Sequence, residues 1–549
     1  MDAAVRRSWI RGGVFGVGAI GAVQVSSRLG PVVGTAAGLV AAAAAAYGEP
    51  AVDQWWWRWQ RRRGSRPATP LTLVESLQRD LRYQEGRVKW FRARLLTSPD
   101  YATRDFTYVL NAQAVTLAQL GRPYNAVAAA AEAVDLMRVL AGVWPAAFNA
   151  ALAENLDRLS RYLVVVGRHQ DAHACSVEAV DLQRGVLSLL PAESPKVDDV
   201  RAELAAYLQD LSNRHSLLGD DGEAVVAAEE AVALFSHPSE PSPARLGSAL
   251  GTLAGHRFAL GHPEQALQDA RAALGWLKLA AAHGEDVSRD LSFALGTTGW
   301  ILDALGRQAE AVPPARQAVD LERSEVAALP GVREPNLVWA LRCLAEATAP
   351  TDAVAALTLA EEAERVARAS PAGLPSSVRA LAEALGCRAD LLAQLGRHDE
   401  ALPVLQQAEA AWQQLEASDP ASHRKHLAME QYNVAAAFGR LQRWDEAVEQ
   451  ASVAVDSFVD LAPADFDANA GSLAEALFAR GRFLASQASP AQALPDLREA
   501  ARYARDAAVR NPRLFARLDV FITDVVANLR QAGVPEAEID QLLADLHPH

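Results

Sequence analysis

Nine times along this chain an alanine stands seven residues ahead of a second alanine, and that recurrence restricts the fold more than any other feature. The leading members are Ala126, Ala172, Ala224, Ala266, Ala311, Ala353, Ala401, Ala447 and Ala493, which follow one another at intervals of 42 to 52 residues. Their partners are Ala133, Ala179, Ala231, Ala273, Ala318, Ala360, Ala408, Ala454 and Ala500. Residues seven apart share one face of a helix, and strict smallness at both means that a second helix crosses there too closely for a longer side chain. A unit of this size cannot bury its apolar face alone, so it stacks on its neighbours. The expectation is an all-α chain with one continuous core, in place of the roughly three or four domains that its length alone would suggest.

A turn signal stands between helices in most units. Leu120-Gly121, Val166-Gly167, Leu218-Gly219, Leu260-Gly261, Leu305-Gly306 and Leu395-Gly396 occupy one point of the repeat, where glycine suits the left-handed residue that closes a helix. Seven residues earlier the side chain is small again: Ala114, Ser160, Ser212, Ala254, Gly299 and Ala389, with Ala435 and Gly481 at the equivalent places later. Apolar residues such as Leu156, Leu159 and Leu163 fill the positions between at helical spacing. The sixth unit departs from the pattern, with Leu341 where the small residue belongs and Ala349-Pro350-Thr351 in place of the turn, which predicts a local irregularity.

This pattern resembles the tetratricopeptide repeat, which has a small residue in its first helix, a turn glycine, and two alanines seven apart in its second. The unit of about 45 residues is longer than the ordinary one of about 34, and is similar to the long units of kinesin light chain and of many bacterial regulatory proteins. The resemblance implies a right-handed α-solenoid of about nine helix-turn-helix repeats over residues 67–502, with capping helices in 503–549 near Leu514 to Leu529 and Glu536 to Leu546. The proline-rich connections at Pro238 to Pro243 and Pro371 to Pro375 are expected to be loops, because the period resumes on both sides.

Charge narrows the partners. The formal net charge is -14, but residues 1–66 carry nine Arg against Asp2, Glu49 and Asp53, a local +6 that leaves the remainder at -20. An acidic body excludes nucleic acid as the main partner. Cys175, Cys343 and Cys387 are scattered through the repeats and form neither a disulfide framework nor a metal site. No phosphate-binding loop, paired-histidine zinc motif or nucleophile elbow is present. Gly247-Ser248-Ala249-Leu250-Gly251 comes nearest to the last, with its serine one place early. Neither enzymatic activity nor a cofactor is expected, and His215, His256 and His262 near the third and fourth turns are scattered or at most tune a groove.

The first sixty-six residues are different in kind. Residues 12–27 and 31–48 are two apolar stretches without an acid or base, separated by Arg28, Leu29 and Gly30. Trp55, Trp56, Trp57 and Trp59 follow, then Arg61, Arg62 and Arg63, with Arg6, Arg7, Arg11 and Trp9 at the other edge. Tryptophan at the headgroup level and arginine on the cytoplasmic side suit an apolar helical hairpin on an anionic bacterial inner membrane, with the repeat body in the cytoplasm. Gly30, Gly34 and Gly38 recur every four residues, a face that brings membrane helices together and implies a homo-oligomer. Each arm is short for a span, and an Ala/Gly hairpin packed on the repeats of a soluble cytoplasmic protein remains the alternative.

The resemblance further implies that a protein or peptide lies in the concave groove lined by the first helices. Carried over by spacing, the groove positions are Asn111, Asp157 and Gln209 in one row, and Arg161, Asn213, Trp300, Asp390 and Arg482 in another. Asn and Gln bond a peptide backbone through both donor and acceptor. The mixed signs of the rows argue against capture of an acidic C-terminal tail. The expected function is therefore a protein-interaction scaffold or sensor, tethered to the inner membrane, with membrane disruption in a defence or cell-death system as its sharper form.

Overall fold

The computed structural model describes residues 73–95, 99–191, 193–237, 242–328, 330–331, 333–371, 373–461, 466–487, 490–508, 526–527, 529–530 and 533–546. The apolar stretches, the Gly30, Gly34 and Gly38 row, and the Trp55 to Arg63 border lie outside them, as do most of the residues between Leu514 and Leu529. The chain divides into two compact units, Met1–Ser76 and Leu77–His549. Among the described residues there are helices and no strands, and none of the helices is long and apolar enough to cross a membrane.

After α1 (Leu73–Leu95) the second unit consists of nine helical hairpins. They pair α2 (Pro99–Gln119) with α3 (Pro123–Val143), α4 (Pro145–Val165) with α5 (His169–Ser188), and α6 (Val197–Leu218) with α7 (Asp221–Ser236). Next come α8 (Pro243–Ala259) with α9 (Pro263–Ala282), α10 (Ser288–Ala304) with α11 (Gln308–Ala328), and α12 (Glu334–Thr348) with α13 (Ala353–Ala369). The last three are α14 (Pro375–Gln394) with α15 (His398–Glu416), α16 (Pro420–Arg440) with α17 (Trp444–Leu461), and α18 (Phe466–Ser486) with α19 (Pro490–Ala508). Proline opens many of these helices, where its missing N–H costs nothing and its fixed φ is already helical. At the array's start, α1 sets Val88 and Phe91 against Phe106 and Leu110; at its end, Ile539 and Leu542 of α20 (Glu536–Leu546) join the core of Ala493 and Leu497.

All nine partner alanines and eight of the nine leading ones are sealed off from solvent. Ala353 is the exception, being only half-buried at the first position of α13. In every other second helix the leading alanine is the fourth residue, and the fourth residue of α13 is Ala356, fully buried, with Ala363 seven further on. The pair Ala356 and Ala363 therefore corrects Ala353 and Ala360, and it restores an interval of 45 residues on either side. The turn is also one residue longer here. It closes through Asp352, whose carboxylate accepts the N–H of Ala355 at 2.9 Å and caps the helix. Counted back from the end of α12, the small-residue position belongs to buried Cys343 and not to Leu341. The sixth repeat thus keeps the geometry of the others with a different turn.

Distant repeats also meet. The turn at Gly167 lies against Pro375 at the start of α14, so closely that an added Cβ would stand 2.9 Å from the proline ring. Its φ of +77° separately favours glycine. The His169 ring, at the start of α5, faces His423 of α16 with centroids 5.4 Å apart. The second repeat thus touches the seventh and the eighth along a seam.

Candidate binding cavity

Inside the array the first helices α4, α6, α8, α10 and α12 enclose a cavity of about 670 Å³. Its volume falls within the usual range for ligand pockets. Most polar side chains on its wall are already spent on one another. Arg161 donates to Asp157 of its own helix (2.6 Å) and to Asp210 of α6 (2.8 Å). The Gln209 amide donates to Ser248 (2.9 Å) and Thr252 (3.0 Å) of α8, and the Ser248 hydroxyl donates to the Asp290 carboxylate of α10 (2.9 Å). Behind them buried Arg214 donates to Ser160 (2.9 Å), and the His256 ring meets Ser212 at 3.2 Å. Burial, and next the Asp210 carboxylate, push Asp157 up to about 8, so it holds a proton at neutral pH.

Three wall side chains have no hydrogen-bond partner among the described residues: Asn213 of α6, Arg289 of α10 and Asn336 of α12. Between them stand two aromatic rings. Phe293 stacks on Trp339 with centroids 5.4 Å apart and planes 21° from parallel, and Phe293 remains 41% exposed. The indole is seated by Gly296, where any Cβ would run into its six-membered ring. Two amides, a guanidinium and an aromatic face are thus left open to an occupant.

The groove positions expected from spacing separate into three groups. Arg161, Gln209 and Asn213 line the cavity. Asn111 and Asp157 are not on its wall and serve the scaffold, Asn111 by donating to Asn155 of the next first helix at 2.7 Å and Asp157 by accepting from Arg161. Trp300, Asp390 and Arg482 are not on its wall: Trp300 sets its edge against Phe258 (4.7 Å), and Arg482 lies over the Phe483 ring (5.1 Å). Counting back from the turn glycines sampled only the C-terminal halves of the first helices. Arg289, Phe293, Asn336 and Trp339 come from N-terminal halves and were missed. Their signal was two large aromatics, one of them three residues ahead of Gly296.

Asp390 belongs to a different arrangement, a succession of acids on α10, α12, α14 and α16. Burial, and next Glu346, push Asp390 up to about 6. Burial, and next Asp390, push Glu430 up to about 8. Glu346 is raised by burial, with Arg342 pulling against it and Asp303 and Glu383 adding to it. Burial works against the Glu383 carboxylate as well, but Arg342 and Arg379 outweigh it and hold Glu383 at about 2.

The hairpins, their buried alanines and their turns decide the architecture. The fold is a tetratricopeptide-like repeat array. No protein-family model matches the chain, and neither does any curated protein. Among solved structures it is similar to a Rap protein complexed with competence and sporulation factor, at 13% identity over 72% of this chain and 97% of that one, with a TM-score of 0.47. It is also similar to the apo form of RapI (11% identity, 72% and 96% covered, TM-score 0.46). A third similar structure is human IFIT1, solved as a dimer with PPP-AAAA (14% identity, 80% and 87% covered, TM-score 0.44).

Proposed function

We propose that this protein is a capture module, a scaffold or sensor that holds a peptide segment of a partner protein in the cavity between α4 and α12. The observation that carries this reading is the set of unspent groups on an otherwise self-satisfied wall: Asn213, Asn336 and Arg289 around the Phe293 and Trp339 rings. Amides pair with a peptide backbone, and stacked aromatics take an apolar side chain at little entropic cost. The role is binding without catalysis. The difference in tryptophan emission between the unaltered chain, which has twelve tryptophans, and Trp339→Phe reports occupancy. A partner segment found by peptide array should shift it, and Phe293→Ala with Asn213→Ala should weaken binding at least tenfold. Unchanged affinity in that double variant would exclude the cavity.

The capture module is, in the same reading, held at an anionic membrane by residues 1–66, with the repeat body in the cytoplasm. The Trp55 to Trp59 and Arg61 to Arg63 border and the Gly30, Gly34 and Gly38 row support this. The row also supports self-association, and with it membrane disruption once captured partners cluster the bodies. Fractionation of residues 1–549 beside a chain starting at Pro67 checks the tether: the full chain should pellet with membranes at physiological salt and the shorter one should not. A full chain left in the supernatant means a soluble regulator instead.

A further inference from the structure

The seam between the second repeat and the seventh and eighth holds a separate cavity of about 270 Å³. On one side stand Val164, His169 and Leu217; on the other stand Trp339, Ser376, Arg379 and His423, among others. His169 is 5% and His423 2% exposed, and three of their ring nitrogens, His169 Nδ1 and both of His423, lack any hydrogen-bond partner. Buried polar atoms left without partners are rare because each forfeits its hydration. The two rings that carry them line one void from elements some 250 residues apart in sequence, and that void calls for an occupant.

The chemistry of the wall says which. Arg379 donates its Nε to Glu383 at 2.8 Å, which leaves its Nη groups for a second acceptor. Ser376, on the first turn of α14, has a hydroxyl with no partner among the described residues. The one carboxylate on the wall, Glu383, is committed to Arg342 and Arg379. Donors therefore outnumber free acceptors. The remaining wall, Val164, Leu217, Pro335, Trp339, Pro375 and Ala380, is apolar. A bare inorganic anion would leave that side unfilled, and a neutral apolar molecule would leave the donors unmet.

We propose that the seam cavity binds a small carboxylic acid with an apolar tail, its carboxylate among His169, His423, Arg379 and Ser376 and its tail against Trp339 and Pro335. Such a molecule bridges the second repeat to the seventh and acts as an effector that clamps the seam. The site is separate from partner capture in the larger cavity, although Val164 and Trp339 line both. Binding is linked to protons. Burial first, then His423, depress His169 to about 4, and burial with Arg379 depresses His423. Asp419 opposes the shift at both, while Arg379 and Arg214 reinforce it at His169. A bound carboxylate stabilises the imidazolium forms, so binding takes up protons and tightens as pH falls.

Benzoate is the probe, titrated calorimetrically into the full chain beside benzamide and inorganic phosphate. Benzoate should bind saturably and about tenfold more tightly at pH 6 than at pH 8, whereas benzamide and phosphate should give no saturable heat. His423→Phe should abolish the signal, and the milder Ser376→Ala, at a half-buried surface position that spares the fold, should weaken it several-fold. Asn213→Ala, on the wall of the larger cavity only, should leave it intact, which separates this site from partner capture. No saturable benzoate binding means the cavity holds water alone and overturns the proposal. Equal binding of benzamide removes the role of the donors, equal binding of phosphate removes the role of the tail, and affinity unchanged in both seam variants places the ligand elsewhere; each of these also overturns it.

Discussion

The inner face of repeats one to four and that of repeats five to eight are built on one helical geometry and solve its electrostatics in opposite ways. In the first region, successive first helices are tied by neutral or paired contacts: Asn111 to Asn155, Arg161 to Asp210, and Gln209 to Ser248. In the second, they bring acid next to acid, as Asp303 raises Glu346, Glu346 raises Asp390 and Asp390 raises Glu430. The cation set against this row is Arg342, which reaches Glu383 at 2.5 Å and Glu346 at 3.8 Å. Pairing leaves the first face little dependent on pH, apart from Asp157 and His256, which burial depresses to about 4. Retained protons make the second face depend on it.

Removing one arginine from each region should expose that difference most strongly. Arg342→Leu leaves Glu383, ionised and mostly buried, with Arg379 alone, and removes the cation nearest Glu346; the expected cost is about 2 kcal/mol, read as a lower melting temperature at pH 7. Arg161→Met removes a side chain that is 55% exposed; its buried partner Asp157 already carries a proton, and its other partner, Asp210, keeps Arg214 at 3.7 Å. Its expected cost is at most about 1 kcal/mol. Similar losses in the two variants would mean that both faces are paired networks of the same kind.

Titration gives the next largest contrast. Glu430 sits at about 8 in the folded chain against about 4.3 unfolded, so the native state binds the extra proton between those values. The stability this contributes is complete below about 4 and is lost as pH rises through 8. Glu430→Gln mimics the protonated form and cannot suffer that loss. Its melting temperature relative to the unaltered chain should therefore rise by a few degrees between pH 5 and pH 8. Asp157→Asn should show the same sign and a similar amplitude, because burial and Asp210 raise Asp157 to about 8 as well. Thermal melts at the two pH values decide it. A flat Glu430→Gln difference removes proton retention from the second face.

The repeat was legible in the sequence because close helix crossings tolerate nothing larger than alanine, and that constraint is local to each unit. It failed by three residues in the sixth unit, where Ala360 is buried as well and disguises the true pair, Ala356 and Ala363. The groove rows were half legible. Spacing singled out Arg161, Gln209 and Asn213, which line the cavity, but it could not show that Asn111 and Asp157 are consumed by neighbouring side chains. The seam was not legible at all. Contacts such as Gly167 with Pro375 depend on the small rotation between repeats accumulated over five of them, and no single unit records it. Of the described turns, Gly167 looks like any other in the sequence, and only the folded chain shows that it has two reasons to be glycine.

The smallest expected effect concerns the turns on which both faces are hung. In repeats one to five and in the seventh, the residue after the turn's leucine or valine is a glycine with positive φ, but in the eighth it is Gln442, at φ 58°. The backbone hydrogen bonds are the same: Gln442 N–H reaches the Gly439 carbonyl at 3.1 Å and Arg443 N–H reaches that of Phe438 at 3.0 Å, as the Gly396 and Arg397 amides do in the repeat before. What differs is the Cβ, which costs a residue other than glycine about 1–2 kcal/mol in this conformation. Glycine returns about 0.5–1 kcal/mol of that through its greater unfolded freedom. Gln442→Gly should then stabilise the chain by about 0.5–1 kcal/mol at pH 5 and pH 8 alike, since no titrating group is touched. A gain confined to one pH would tie this turn to the acidic row of α16 instead of to its own backbone.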